Sequence, residues 1–263
     1  MPGNITVLFI GDIIGRPGRN ILKKKLPSLK KKHPIDLIIA NGENAAGGIG
    51  ITEKVGEELL NYVDVLTSGN HIWDKKEGIP YLERESRLLR PANYPPQSPG
   101  KGANVFKDKK DRKIGILNLQ GRVFMDALDC PFRIADNRIQ SLKAQTPVII
   151  VDFHAEATSE KQALGWYLDG KVSAVIGTHT HVPTADERIL SKGTAYISDV
   201  GMSGGFNSVI GIRKELAVKR FLTSRNQHFE PSKEGYFLSA VLIEIDSSTG
   251  KSISIKREII SGE

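Results

Sequence analysis

The chain has 263 residues, 39% of them hydrophobic, which is enough for one large α/β domain with a full core. A net charge of +7, from 37 basic and 30 acidic residues, favours anionic partners in general without singling out nucleic acid. No stretch approaches the length of a membrane span, no signal pattern opens the chain, and the lone Cys130 excludes an internal disulfide, so a protein of the reducing cytoplasm is expected.

In chain order, Thr6 to Ile10 reads as a buried strand and residues 19 to 31 as a helix. Leu22, Leu26 and Leu29 recur at helical spacing, so Lys23 to Lys25 and Lys30 to Lys32 form its solvated face. No aromatics are interleaved with them, as an RNA-binding stripe would require. Asp36 to Ala40 is a strand, Thr52 caps a helix running to Tyr62, Val63 to Thr67 is a third strand, and Lys75 to Glu85 a polar helix. This βαβαβ order implies parallel pairing. Arg90 to Gly102, rich in Pro and Gly, is irregular loop. Strands follow with little helix between them: Ala103 to Phe106, Lys113 to Leu119, Val148 to Asp152, Val172 to Ile176 and Thr194 to Ser198. A helix over Ser159 to Asp169 separates two of these. The chain closes on antiparallel strands, Tyr236 to Ile245 and Ser252 to Ile259, joined by Ser-Ser-Thr-Gly. With no repeat and no linker, residues 1–263 read as one domain, a mixed sandwich of two sheets with outer helices.

The chemistry collects where the hydrophobic runs stop. Gly11-Asp12, Gly42-Glu43-Asn44, Gly69-Asn70-His71, Asp152-Phe153-His154 and Gly177-Thr178-His179-Thr180-His181 all sit at such points. In α/β folds, ligands bind at the carboxyl ends of strands. Taken singly, Asp12 reads equally well as a turn residue, Asn44 and Asn70 as turn or capping residues, and His154 as a core histidine. Taken together they form an oxygen and nitrogen donor set without thiolate, which suits manganese, iron or zinc. Glu43 has two oxygens and can bridge two ions about 3.5–4 Å apart, the spacing of binuclear hydrolase sites.

Gly-Asp early, Gly-Asn-His in the middle and Gly-x-His-x-His late resemble the calcineurin-like metallophosphoesterase superfamily. Two departures from its common pattern, Asp12-Ile13-Ile14 without the histidine and Gly42-Glu43-Asn44 at the second motif, are similar to the bacterial YmdB-like family. The likeness extends through residues 11–18, 41–48, 68–74, 152–157 and 201–205, nearly the whole chain. It implies a four-layer α/β/β/α sandwich and phosphodiesterase activity on 2′,3′-cyclic nucleotides. It also implies one metal held by Asp12, Glu43, Asn44 and His181 and a second by Glu43, Asn70, His154 and His179. Asn44 replaces the missing histidine as donor, and iron is the metal expected, with manganese or zinc next. His71, next to Asn70 and with an unperturbed pKa of about 6.5, is expected as general acid. Asp152 and Glu156 are expected to orient His154. Gly201 to Gly205 offers backbone N–H groups to a phosphate or serves as a purely structural turn. The partners expected are a small anionic phosphodiester and further copies of the chain in a homo-oligomer. Two rival readings are a phosphomonoesterase or phosphoprotein phosphatase using the same metals, and a regulatory or RNA-associated protein using the site for binding.

Overall fold

The computed structural model describes residues 3–262. The chain runs β1 (Asn4–Ile10), β2 (Asp12–Ile13), α1 (Gly15–Lys32), β3 (Leu37–Asn41), α2 (Glu53–Leu60) and β4 (Val65–Thr67). Two 3₁₀ turns, Asn70–Trp73 and Lys76–Gly78, lead into α3 (Ile79–Arg84). Then come β5 (Ala103–Lys107), β6 (Lys113–Gln120), α4 (Pro131–Lys143), β7 (Ile149–His154), α5 (Thr158–Leu168) and β8 (Ala174–Thr178). The remainder is β9 (Arg188–Ile189), β10 (Ala195–Ile197), β11 (Met202–Gly205), α6 (Lys214–Thr223), β12 (Tyr236–Asp246) and β13 (Ser252–Gly262).

One sheet has the order β2-β11-β12-β1-β3-β4, with β13 also paired to β12. Its β1, β3 and β4 are parallel, as the βαβαβ order requires. The other sheet has the order β5-β6-β7-β8-β10-β9 and is parallel from β6 to β10. Strand alternation assigns the layers. In β1, Leu8 and Ile10 pack under α1 with Leu22, Leu26 and Leu29, while Val7 and Phe9 face the second sheet. In β7, Ile150 faces the first sheet, whereas Ile149, Val151 and Phe153 lie under α4 and α5. The result is a four-layer α/β/β/α sandwich whose central core, with Phe9, Val241, Ile116 and Ile176, is shared by both sheets. Among the described residues, no helix is long and apolar enough to cross a membrane.

Several expectations are corrected. The helix expected over Lys75 to Glu85 is broken into a 3₁₀ turn and the short α3, with Pro80 at the start of the latter. Helix α4 occupies a stretch expected to hold little helix, because its apolar stripe of Ala135, Ile139 and Leu142 is narrow. Helix α6 falls in a stretch to which no element was assigned. Gly201 to Gly205 is not a phosphate loop. Met202–Gly205 is strand β11, pairing with both β2 and β12. Cys130 is half-buried at the start of α4.

Candidate metal centre

The inner faces of the two sheets are apolar until the strands end, where they turn polar together. Asn41, Asn118, Gln120, Asp152, His154 and Thr178 are all fully buried there. They stitch the sheets to each other. Asn41 Nδ2 donates to Asp152 Oδ2 at 3.2 Å, and the Ser68 amide donates to Asn118 Oδ1 at 3.0 Å. With His154 of this floor, Asp12, Glu43, Asn44, Asn70, His71, His179 and His181 are brought to one place from five strand ends.

The donor atoms form two groups. Atoms of Glu43, His154 and His179 lie within 4.8 Å of one another, and so do those of Asp12, Glu43 and His181. Glu43 belongs to both. Asn70 Oδ1 lies 3.1 Å from His154 Nε2, beside the first group. Asn44 Nδ2 lies 2.9 Å from Glu43 Oε1 and 3.2 Å from His181 Nε2, beside the second.

Each imidazole has one nitrogen occupied by the protein, so the other is directed into the cluster. His154 Nδ1 meets Thr178 Oγ1 at 2.9 Å, and Thr178 donates onward to Asp152 Oδ1 at 2.8 Å. His179 Nε2 meets Glu156 Oε2 at 3.0 Å, and His181 Nδ1 meets the Ile210 carbonyl at 2.8 Å. Such outer contacts fix tautomer and ring orientation at metal sites. They also correct the expectation for Glu156, which holds His179 rather than His154. Asp152 reaches His154 indirectly, through Thr178 and through the Asn41 amide, which lies 3.2 Å from Asp152 Oδ2 and 3.4 Å from His154 Nδ1.

A cation fits this donor set. His154 Nε2, which carries at most one hydrogen, has Glu43 Oε1 at 3.1 Å, Asn70 Oδ1 at 3.1 Å and His179 Nδ1 at 3.0 Å. Hydrogen bonding satisfies only one of these neighbours, whereas a positive ion satisfies all. Asp12 Oδ1 is buried with no hydrogen-bond partner, although Oδ2 accepts from the His179 amide at 3.2 Å. Gly69 leaves the room: a Cβ there would overlap the His154 ring and the Glu43 carboxylate.

Charge is concentrated accordingly. Burial pushes Asp12 up to about 6, only partly opposed by His181 and His154. Burial also acts upward on Glu43 but is outweighed by His154 and His71, leaving it at about 2. Burial opposes the proton on His154, yet Glu43 and Asp12 raise it to about 9. Burial and then the charge of His154 bring His179 down to about 3. A metal ion competes with that His154 proton for one lone pair.

His71 stands apart from both donor groups. Its amide donates to Glu43 Oε2 at 3.2 Å, and its Nδ1 lies 2.8 Å from Asp74 Oδ2. It lines a cavity of about 930 Å³ together with Glu43, Asn44, His179 and His181. Asp74 was missed as a partner of His71. The two lie three residues apart on a 3₁₀ turn, a spacing visible in the sequence only if the turn is foreseen.

Two facing sheets with oxygen and nitrogen donors at their common edge make this an α/β fold of the metallophosphoesterase type. The chain belongs to the YmdB-like protein family, whose model matches residues 8–258. It is 48% identical over 258 residues to a 2′,3′-cyclic-nucleotide 2′-phosphodiesterase of Bacillus subtilis (strain 168), covering 98% of this chain and 97% of that protein. A crystal structure of a phosphatase from Mycoplasma pneumoniae matches with TM-score 0.93 and 41% identity, over 99% of this chain and 95% of that one. A protein from Thermus thermophilus, described as hypothetical, matches with TM-score 0.92 and 41% identity, over 98% of this chain and 100% of that one.

Proposed function

We propose that the chain is a metal-dependent phosphodiesterase that opens 2′,3′-cyclic nucleotides at the 2′ bond and releases 3′-nucleotides. The observation that carries the reading is Glu43, whose carboxylate is common to both donor groups and whose Oε2 accepts from the backbone of His71. The substrate rests on the likeness to the Bacillus subtilis enzyme. In this reading Asp12, Glu43, Asn44 and His181 hold one ion, and Glu43, Asn70, His154 and His179 hold the other. Iron is the first choice, and manganese or zinc suits the same donors. When bound, two such ions supply a nucleophile at neutral pH and neutralise charge on the phosphoryl oxygens.

The chain's own groups do the rest. Asn44 would hold an ion through Oδ1, with its amide turned from the orientation in which Nδ2 lies beside Glu43 and His181. Glu156, Thr178 and the Ile210 carbonyl hold the three imidazoles in the ligating orientation. Asp74 holds Nδ1 of His71, so Nε2 is the atom that delivers a proton to the departing 2′ oxygen. Residues 1–263 act as one domain, a view supported by the core that both sheets share. The homo-oligomer and the cytoplasmic setting are part of the same proposal.

Elemental analysis and product chromatography test it together. Two transition-metal ions per chain and a 3′-nucleotide product are expected, and Glu43→Gln should lose most turnover and at least one ion. Exclusive 2′-phosphate product, or hydrolysis of simple monoesters alone, would favour the phosphomonoesterase. Metal binding without any turnover would favour the regulatory protein.

A further inference from the structure

The cavity above the donor groups is larger and more apolar than a phosphate and a ribose require. It measures about 930 Å³, near the upper end of the usual range for ligand pockets. Ile14, Ile49 and Ile210 are among the residues that line it. The wall from α6 onward is lined by Arg220 on that helix and by Gln227 and Phe229 on the segment that follows. Phe229 is 42% exposed, in a wall where burial would be the cheaper state for an aromatic ring. The Arg220 guanidinium lies 5.0 Å from the centre of that ring. Among the described residues no carboxylate pairs with Arg220, although other cations nearby are paired, such as Arg213 with Glu230 and Lys214 with Glu234.

An unpaired guanidinium plane beside an exposed phenyl ring, facing an apolar chamber, is a stacking surface for a flat heterocycle. Every nucleobase has a π-face, so such a surface binds bases with little regard to their identity. We propose that Arg220 and Phe229 are specificity-determining residues that stack the base of the substrate, making a nucleoside cyclic phosphate, rather than a small cyclic phosphate ester, the preferred class. This rests on the phosphodiesterase reading above and adds the part of the site that reads the nucleoside. Gln227, on the same wall, offers an amide donor and acceptor to the edge of the base.

The test compares 2′,3′-cyclic AMP with glycerol 1,2-cyclic phosphate, which keeps the cyclic diester and lacks the base, on metal-loaded enzyme. Phe229→Ala should raise KM for the nucleotide about tenfold, the loss of one stacked base, and leave kcat within about twofold. Arg220→Lys, which keeps the charge and loses the plane, should shift KM in the same direction by less. Neither variant should move the kinetics of the base-free ester. Equal losses on both substrates would make Arg220 a phosphate contact and overturn the proposal, and unchanged KM on both would also overturn it. Should the wild type open neither ester, the phosphodiesterase reading fails on its own, and calorimetry with adenosine against ribose decides the stacking surface. Adenosine binding that Phe229→Ala weakens would sustain it, and equal affinity in both proteins would end it. Circular dichroism of each variant separates these outcomes from misfolding.

Discussion

His71 is anchored on one side and available on the other. Its ring is 36% exposed, with Nδ1 on Asp74, and it is the one imidazole of the cluster that belongs to neither donor group. General acid catalysis is worth roughly 10²–10⁴-fold, most where the leaving oxygen is a poor one. A ribose alkoxide is poor, whereas a nitrophenolate departs unaided. His71→Ala should therefore keep its metal content and lose turnover of cyclic nucleotides by that factor, yet lose far less with bis(p-nitrophenyl) phosphate. Asp74→Asn should show the same selectivity in weaker form. Equal losses on both substrates would assign His71 to phosphate binding, and loss of metal would make it a ligand. The types of the site residues were legible from their positions after hydrophobic runs. Their pairings were not: Glu156 is two residues from His154 in sequence, yet its carboxylate meets His179, just past the end of the neighbouring strand β8.

The loop after β8 shows what an element must supply to keep such residues in place. His179 and His181 have φ of 102° and 66°, left-handed conformations that cost a non-glycine residue about 1–3 kcal/mol each. Asp199 holds the loop between them. Its Oδ2 accepts from the Thr180 amide at 3.0 Å and the Thr180 hydroxyl at 2.8 Å, and its Oδ1 accepts from the Gly201 amide at 2.8 Å. Its charge is balanced by Lys161 of α5, whose Nζ lies 2.7 Å away, both side chains being 2% exposed. Removing one member of a buried pair leaves the other uncompensated, at a cost of about 3–5 kcal/mol. Lys161→Met should thus lower stability in denaturant titrations by about that amount and weaken metal affinity, although Lys161 touches no ligand. A variant with unchanged stability and unchanged metal affinity would show that the pair does not support the loop. In the sequence, Lys161 is simply a lysine on a helix. That it is buried follows from α5 lying against the second sheet.

At the opposite end of the sandwich from the metal centre, one carboxylate clasps the two sheets. Asp36, just before β3, accepts from the Thr6 amide at 3.0 Å and pairs with Lys110 at 3.1 Å and Arg112 at 2.9 Å, both from the β5–β6 connection. Burial alone would raise its pKa, but the Thr6 amide and the two cations outweigh burial and hold it below the ordinary carboxylate range. The folded chain therefore takes up this proton less readily than the unfolded chain. The stability it contributes is complete above the unfolded carboxylate pKa of about 4 and is lost as pH falls through the lower folded value. Asp36→Asn should cost about 1.5–3 kcal/mol at pH 7. The difference from wild type should close as both are titrated into acid, with turnover of the folded enzyme at neutral pH unchanged. A difference that stays constant from pH 7 into acid would mean that packing, not charge, is what Asp36 provides.

Local patterning carries a definite share of this protein unaided. Apolar runs of strand length, Gly-acid and Gly-His punctuation at their ends, and leucines at helical spacing depend on neighbours a few residues away, and they specified the parallel strands, the helical face of α1 and the donor types. Which donors meet was settled only when the sheets stacked. The Asp12 carboxylate accepts from the His179 amide 167 residues away, and Asn44 reaches His181 across 137. Neither contact leaves a local trace, because each depends on the order and register in which two sheets stack. The same holds for β11, whose Gly-rich run looks like a loop until β2 and β12 pair on either side of it. For Glu43, expected as a bridge from its two oxygens, the stacking of the facing sheets supplies the distance that places it in both donor groups.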